Sequence, residues 1–179
     1  EIADAVIKLK IRGAPLIGIA AAYGVALAAL RSNGEERSSF IGHISQAVDM
    51  LSSTRPTAIN LFWALDRMTK KIGRVKDNLS TVNDLIDEAK SIHLEDMEMC
   101  RLIGENGSKL IPDGASILTH CNTGALATGG DGTAQSVITS SFKKGKIISV
   151  FVDETRPLFQ GARLTMWELM KHGIDAHLL

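Results

Sequence analysis

Residues 117–133 run Ile-Leu-Thr-His-Cys-Asn-Thr-Gly-Ala-Leu-Ala-Thr-Gly-Gly-Asp-Gly-Thr, and this stretch decides the fold of the chain. Its short apolar start follows the turn Pro112-Asp113-Gly114, which predicts a buried strand over residues 116–121. Glycines follow the strand, and Thr133 is placed to cap a helix. A strand, a glycine-rich turn and a helix in this order are typical of open α/β sheets, where ligands bind at the carboxyl ends of strands.

The polar end of this strand places a thiol, Cys121, beside an amide, hydroxyls and glycine-rich backbone. Backbone N–H groups at such a turn and at a helix start favour an anion. The glycine spacing matches neither a Walker loop nor Gly-x-Gly-x-x-Gly. A single cysteine near a strand end is also more often a small buried hydrophobe than a reactive group. The residue types therefore support a ligand loop and a purely structural turn about equally.

Beyond residue 112, predicted strands and helices alternate. Strands are predicted at 147–152 and from 174 onward, with helices ending near 142 and covering 161–172. This alternation indicates parallel strands joined by right-handed crossovers. A second polar strand end, residues 153–161, contains Arg156, which could simply pair with Glu154, and Gln160, which precedes a helix and could bind a sugar hydroxyl or a phosphate.

The first 112 residues carry only helical patterns. Helices are predicted over 1–10, 15–32, 36–53, 57–72 and, as a long helix that could be broken, 81–110. The fold class is therefore α/β: an N-terminal helical domain (residues 1–112) precedes the start of a Rossmann-like parallel-sheet domain (113–179). We expect the sheet to continue past residue 179, because it would otherwise end on an exposed apolar edge.

Two arginines in the helical part stand beside predicted helix starts. Arg12 lies in the turn Arg12-Gly13-Ala14-Pro15, and Arg55 precedes Pro56 in a similar setting. An arginine in such a place is usually solvated. The functional alternative is that it binds an anion, because the guanidinium group matches the geometry of phosphate oxygens. Two such arginines could share one phosphate.

Most other polar side chains are predicted to be structural or solvated. Trp63 is assigned to the core and Thr54 to a helix cap, while the polar segment 69–78 is a solvated connection. Arg163 and Glu168 are assigned to a helix surface. The acidic residues of the long helix, among which His93 forms no convincing metal set, are predicted to be mostly exposed; they are Asp84, Asp87, Glu88, Glu95, Asp96 and Glu98.

Composition excludes several classes of function. The chain has 179 residues, with 20 Lys plus Arg and 20 Asp plus Glu, so no net charge draws it to nucleic acid or to an acidic membrane. Aromatic residues are 4%, which disfavours base-stacking surfaces. The apolar run near residues 14–30 contains Gly18 and Gly24 and fits a buried helix better than a membrane span. Only two cysteines are present, so a reduced cytoplasm is the expected compartment.

Four motifs in order carry a family resemblance. They are Arg12-Gly13-Ala14-Pro15; residues 55–61, Arg-Pro-Thr-Ala-Ile-Asn-Leu; residues 119–128, Thr-His-Cys-Asn-Thr-Gly-Ala-Leu-Ala-Thr; and residues 153–165, Asp-Glu-Thr-Arg-Pro-Leu-Phe-Gln-Gly-Ala-Arg-Leu-Thr. Together they resemble the superfamily that contains 5-methylthioribose-1-phosphate isomerase, ribose-1,5-bisphosphate isomerase and the regulatory subunits of eukaryotic initiation factor 2B. Within it, the motifs around Cys121 and Gln160 favour the first of these families.

The resemblance implies a function and a set of site residues. It implies an aldose–ketose isomerase of methionine salvage, a cytoplasmic homodimer that needs no metal or other cofactor and binds a small-molecule sugar phosphate. Cys121 matches the catalytic cysteine, and the substrate-binding positions are Arg12, Gly13, Ala14, Arg55 and Gln160. The alternatives are a non-catalytic subunit that senses sugar phosphates or nucleotides, and a ribose-1,5-bisphosphate isomerase.

The chain also departs from the family pattern. The catalytic aspartate and a further Asn-Lys substrate contact of the family are expected beyond Leu179, so the domain is expected to be truncated at its C-terminal end. Asp131 replaces an expected aromatic residue, and Gln135-Ser136 replaces a more apolar pair.

Overall fold

Five helices form the N-terminal part of the chain in the computed structural model, which describes residues 1–72 and 77–179. Each matches a predicted helix in order, and the fifth is continuous rather than broken. Residues 73–76 of the predicted polar connection lie outside the described residues. The helices are α1 (Ile2–Ile7), α2 (Ala14–Ser32), α3 (Arg37–Ser52), α4 (Ile59–Thr69) and α5 (Asn78–Leu110).

Strands and helices alternate from residue 115, as the sequence predicted. Three parallel strands stand in the order β1 (Ala115–His120), β2 (Ile148–Asp153) and β3 (Ala176–Leu178). Helix α6 (Ala134–Lys143) follows β1, and a π-helical turn (Gly161–Thr165) leads into α7 (Met166–Lys171) after β2. The α/β class with an N-terminal helical part is confirmed.

The chain divides into two compact units, Glu1–Glu95 and Asp96–Leu179. The division falls inside α5, whereas the change from helices to alternating elements falls between Leu110 and Ala115. The domain boundary at residue 112 therefore remains a prediction.

Small residues let α2 pack closely inside the helical unit. A Cβ added at Gly18 would lie 2.8 Å from the backbone oxygen of Asn60 at the start of α4. Among the described residues, α2 is the one helix long and apolar enough to cross a membrane, and 44% of that apolar window is buried. Ala21, Ala22 and Val25 on α2 belong to the core of the unit, so these contacts fit the predicted core helix.

Several side chains differ from the prediction. Trp63 is 47% exposed, because the buried residues of α4 are Leu61, Ala64, Leu65 and Met68, and its ring instead lies under the guanidinium group of Arg67. Thr54 caps no helix start: its hydroxyl donates to the backbone oxygen of Leu51, 2.6 Å away.

Two acidic residues of α5 are buried rather than exposed. Glu88 accepts hydrogen bonds from Arg67 and Lys71, which compensate its charge. Asp96 accepts the backbone N–H of Gly129 at 2.7 Å. A buried carboxylate needs such donors, and the sequence pattern of one helix does not reveal them.

The sheet unit has its own core. Val150 and Val152 of β2 are fully buried and pack with Ile138 of α6, Leu169 of α7 and Ile174. Since β2 is the central strand and its alternate residues are buried, this core fixes the register of all three strands.

Candidate functional site

The two polar strand ends predicted from the sequence lie side by side. His120, the last residue of β1, pairs in register with Asp153, the last residue of β2, and the His120 Nδ1 and Asp153 Oδ2 atoms are 3.5 Å apart. Cys121 directly follows β1, and the segment with Gln160 directly follows β2. The carboxyl edge of the sheet therefore brings the Cys121 loop and the Gln160 segment together, as expected for parallel strands.

Cys121 has an unusual backbone conformation. Its φ angle is +61°, in the left-handed region that favours glycine, and its thiol is free and half-buried. A residue with a side chain held there costs about 1–3 kcal/mol and persists only where its surroundings fix it. The carbonyl oxygen of Cys121 accepts a hydrogen bond of 2.5 Å from the hydroxyl of Thr165, which is fully buried.

Glu168 lies beneath the Cys121 loop, although the sequence assigned it to a helix surface. It is 4% exposed, and its carboxylate accepts the side-chain N–H of Asn122 at 2.9 Å and the backbone N–H of Ala125 at 2.7 Å. The backbone N–H of Leu126 (3.4 Å) and the side-chain Nε2 of Gln135 (3.3 Å) also donate to this carboxylate. These donors compensate a buried carboxylate, which explains why the surface assignment was wrong.

Glycines make room for this arrangement. A Cβ added at Gly124 would lie 2.2 Å from the Glu168 carboxylate. Gly132 has a φ of +97°, and a Cβ there would lie 2.4 Å from the backbone oxygen of Thr123. The backbone N–H of Thr133 donates to that same oxygen at 2.8 Å, so the loop closes on itself just before α6. Thr133 is the N-cap residue of α6, as predicted, but its side chain makes no capping hydrogen bond within the described part of the chain.

The second strand end is organised around Glu154. Its carboxylate accepts the backbone N–H groups of Thr155 (2.7 Å), Gly161 (2.9 Å) and Ala162 (3.1 Å). Burial raises the pKa of Glu154, but these N–H groups and the charge of Arg156 outweigh it, and the pKa falls below its ordinary value. Backbone N–H groups thus supply these hydrogen bonds to Glu154, while Arg156, which the sequence suggested as a partner, acts on it through its charge.

Gln160 is the residue just before the π-helical turn, as predicted for a helix entry. Its side-chain oxygen accepts the hydroxyl of Thr155 at 2.5 Å. This bond orients the side-chain amide, whose N–H₂ group is a donor suited to a hydroxyl or phosphate oxygen.

The arginine turns belong to the helical unit. Gly13 adopts a φ of +88° before α2, as predicted, and Ala14 and Pro15 are the first residues of that helix. One guanidinium nitrogen of Arg12, Nη1, is buried without a hydrogen-bond partner among the described residues. Such a buried donor is costly unless an anion or water meets it.

Arg55 is half-buried, and its carbonyl accepts the backbone N–H of Ala58, the residue before α4. The first turns of α2 and α4 meet where Gly18 contacts Asn60. The two arginine turns therefore precede two helix starts that pack on each other, which suits the predicted shared anion. In residues 1–72 and 77–179, no group of three or more His, Cys, Asp or Glu side chains could hold a metal ion.

Comparison with known proteins identifies the family. The sequence model described as the initiation factor 2 subunit family matches residues 10–179. The chain belongs to this family.

Relatives within the family share its sequence closely. The methylthioribose-1-phosphate isomerase of Heliobacterium modesticaldum is 54% identical, and the match covers 98% of this chain and 52% of the relative. The isomerase of Carboxydothermus hydrogenoformans is 49% identical over 100% of this chain and 52% of its own length. The chain thus spans about half the length of these relatives.

Solved structures of family members have the same fold. The 5-methylthioribose 1-phosphate isomerase of Pyrococcus horikoshii OT3 superposes with a TM-score of 0.93 at 39% identity, covering 100% of this chain and 51% of that one. A protein from A. fulgidus described as translation initiation factor eIF-2B, subunit delta, has a TM-score of 0.88 at 44% identity, with coverages of 99% and 52%. The resemblance found in the four sequence motifs is confirmed.

The sequence analysis gave no role at the candidate site to Thr165 and Glu168, whose side chains hydrogen-bond to the Cys121 loop. One signal could have pointed to them: Thr165, Glu168 and Leu169 follow the i, i+3, i+4 spacing of a single buried helix face.

Proposed function

We propose that the protein is a 5-methylthioribose-1-phosphate isomerase of methionine salvage, a cytoplasmic homodimer that uses no metal or nucleotide cofactor. The observation that carries the proposal is the 49–54% identity, over 98–100% of this chain, to relatives with that name. The free, half-buried thiol of Cys121 at the carboxyl end of β1 adds chemical support, because this edge of a parallel sheet is where ligands bind.

The reaction would convert 5-methylthioribose 1-phosphate to 5-methylthioribulose 1-phosphate. The ring opens with the phosphate in place, and one hydrogen moves from C2 to C1. C2 is thereby oxidised from an alcohol to a ketone and C1 is reduced, so that the reaction consumes no external oxidant or reductant. The site must therefore hold the phosphate, manage protons at the sugar and exclude competing reactions.

Arg12 and Arg55 are the proposed phosphate ligands, with the backbone of Gly13 and Ala14 beside them. The buried Nη1 of Arg12, which has no hydrogen-bond partner in residues 1–72 and 77–179, supports this assignment, because an anionic oxygen would satisfy it with a charge-assisted hydrogen bond. Gln160, oriented by Thr155, is the proposed donor to a sugar or phosphate oxygen.

Cys121 is the proposed acid–base catalyst. Its proposed partner is the catalytic aspartate that the family resemblance leads us to expect beyond Leu179, and the two groups would exchange the protons needed for ring opening and hydrogen transfer. The left-handed backbone at Cys121 supports a functional role, because strain of this kind concentrates at active sites.

A second candidate is a non-catalytic binding subunit. It is favoured by the 44% identity to the A. fulgidus protein described as an eIF-2B subunit. Such a module would bind a sugar phosphate or nucleotide at the same edge without converting it. A ribose-1,5-bisphosphate isomerase would in addition need a cationic site for its second phosphate.

The test is turnover of 5-methylthioribose 1-phosphate by the full-length protein, followed by phosphorus NMR. We expect ketose 1-phosphate to form, and Cys121→Ala to lower kcat by about 10²–10⁴-fold, the usual contribution of an acid–base group. Cys100→Ala is the matched control. Cys100 is buried, and burial raises its pKa, so that it stays a neutral thiol. We therefore expect this variant to keep full activity.

Two results would contradict the proposal. A folded wild-type protein that binds the sugar phosphate but leaves it unconverted would favour the binding subunit. Full turnover by Cys121→Ala would exclude the role of the thiol while leaving the isomerase activity intact.

A further inference from the structure

We propose that Glu168 and Thr165 form a positioning pair that holds Cys121 in its left-handed conformation and so aims its thiol. Neither side chain is assigned to bind substrate. Their role would be exerted through the carbonyl of Cys121 and the residues that follow it. The catalytic part of this inference rests on the proposed function, whereas the structural part can be tested separately.

Thr165 fixes the carbonyl of Cys121. Its buried hydroxyl donates to that oxygen at 2.5 Å and accepts the side-chain N–H of Asn122 at 3.3 Å. The hydroxyl of Thr165 thus donates to Cys121 and, through a lone pair, accepts from the next residue, Asn122. Rotation of the peptide after Cys121 would break the first of these bonds.

Glu168 fixes the residues that follow. One carboxylate oxygen accepts Asn122 Nδ2 and the other accepts the backbone N–H of Ala125, at 2.9 and 2.7 Å. Hydrogen bonds to a charged acceptor are roughly twice as strong as neutral ones. Gly124 lies against the same carboxylate with no space for a Cβ. The single side chain of Glu168 therefore contacts Asn122, Gly124 and Ala125.

These bonds offset the cost of the left-handed cysteine. A strained residue relaxes when its neighbours no longer fix it, and a relaxed Cys121 would point its thiol elsewhere. Removing either side chain should therefore leave binding of the phosphate intact and lower the rate of the chemical step, because positioning acts mainly on the transition state.

The test uses the full-length protein and two pairs of variants. Glu168→Gln loses one strong acceptor, and Thr165→Val loses the hydroxyl at nearly constant volume. Thr165→Ser keeps the hydroxyl and should rescue the wild-type behaviour. Glu88→Gln is the matched control, because it also changes a buried carboxylate but one paired with Arg67 and Lys71.

The first readout is the alkylation rate of Cys121 by iodoacetamide, followed by peptide mass spectrometry. We expect a rise of roughly tenfold in Glu168→Gln and Thr165→Val, because losing a hydrogen bond to a buried charge or hydroxyl favours local opening by about that factor. Thr165→Ser and Glu88→Gln should match the wild type. Cys100, which is 1% exposed, reports wider unfolding in the same sample.

The second readout is the split between kcat and KM. Glu168→Gln and Thr165→Val should lower kcat by roughly ten- to a hundredfold and leave KM within about threefold. Unchanged alkylation of Cys121 in both variants, with Cys100 still protected, would overturn the proposal. A wild type without turnover whose variants still alkylate faster would overturn the proposed function and leave the positioning pair standing.

Discussion

Gly132 is the single residue with the tightest backbone surroundings on the Cys121 loop. Gly132→Ala would place a methyl group 2.4 Å from the backbone oxygen of Thr123 at a φ of +97°. Gly114→Ala is the matched control, since Gly114 has a φ of +77° but, within the part of the chain that the structure describes, no atom within 4 Å of an added Cβ.

We expect Gly114→Ala to lower the free energy of unfolding by about 1–2 kcal/mol through left-handed strain alone. Gly132→Ala adds a backbone collision and should lose at least about 2 kcal/mol more. Urea unfolding of both variants measures the difference. Equal losses would mean that the loop can shift away from the added methyl group at no cost.

For single residues, the sequence predicted the position in the fold better than the hydrogen-bond partners of the side chain. It placed Cys121 and Gln160 at strand ends and gave Gly13 a positive φ, because glycine and proline patterns act locally. It missed the burial of Glu168, whose donors lie 33 to 46 residues away along the chain. Burial of a charge depends on such distant donors, and no local pattern encodes them.

At the scale of elements, the contact between α2 and α4 depends on Gly18. Gly18→Ala would bring a Cβ to 2.8 Å from the Asn60 backbone oxygen, so the helices would have to separate. Gly42 is the control, because it also lies inside a helix, α3, but is exposed, and no atom of the described residues lies within 4 Å of a Cβ added there.

We expect opposite effects of the two substitutions on thermal unfolding. Gly42→Ala should raise the free energy of unfolding by up to about 1 kcal/mol, because alanine favours a helix over glycine. Gly18→Ala should lower it by about 1–3 kcal/mol despite the same gain in propensity. Stabilisation by both substitutions would contradict the close packing of α2 on α4.

The order and type of the elements followed from the sequence because periodicity is strong in long helices and in buried strands. Details at element ends did not. Helix α4 begins at Ile59 after Ala58 rather than near residue 57, and Thr54 belongs to the end of α3. Trp63 was misplaced because its exposure depends on which face of α4 meets α2, and Arg67 covers its ring.

At the scale of the whole molecule, buried carboxylates make stability depend on pH. Burial raises the pKa of Glu88, but the hydrogen bonds from Lys71 and Arg67 outweigh it and lower the pKa below its ordinary value of 4.5. A pKa lowered in the folded state contributes stability above the unfolded value. This contribution is lost as the pH falls from 4.5 through the folded pKa.

Glu88→Gln should therefore destabilise the protein by about 1–3 kcal/mol near neutral pH, the cost of losing charged hydrogen bonds. The difference from the wild type should shrink as the pH falls below 4.5 and through the lowered pKa of the folded state, because the wild-type carboxylate then takes up a proton as well. Urea unfolding at a series of pH values from neutral downward measures this change. Glu98→Gln is the exposed control and should have a smaller effect, so equal pH dependence of both variants would contradict the role of burial.

The two compact units divide between Glu95 and Asp96, some distance from the domain boundary predicted at residue 112. Composition and turn signals change at residue 112, and the secondary structure changes there too. The compact units divide within α5, because Asp96 and Cys100 on that helix pack on the Gly129-Gly130 turn and so join the sheet unit. Such a division depends on packing between segments that are distant along the chain, and the local sequence pattern does not predict this packing.

The left-handed conformation of Cys121 also has an evolutionary consequence. The backbone at this position favours glycine or asparagine, while the proposed chemistry requires sulfur, so fold stability and catalysis select different residues. In a lineage that no longer needs the reaction, replacement of Cys121 by glycine or asparagine would stabilise the fold. The residue found there would then separate descendants that kept the chemistry from those that kept only the fold.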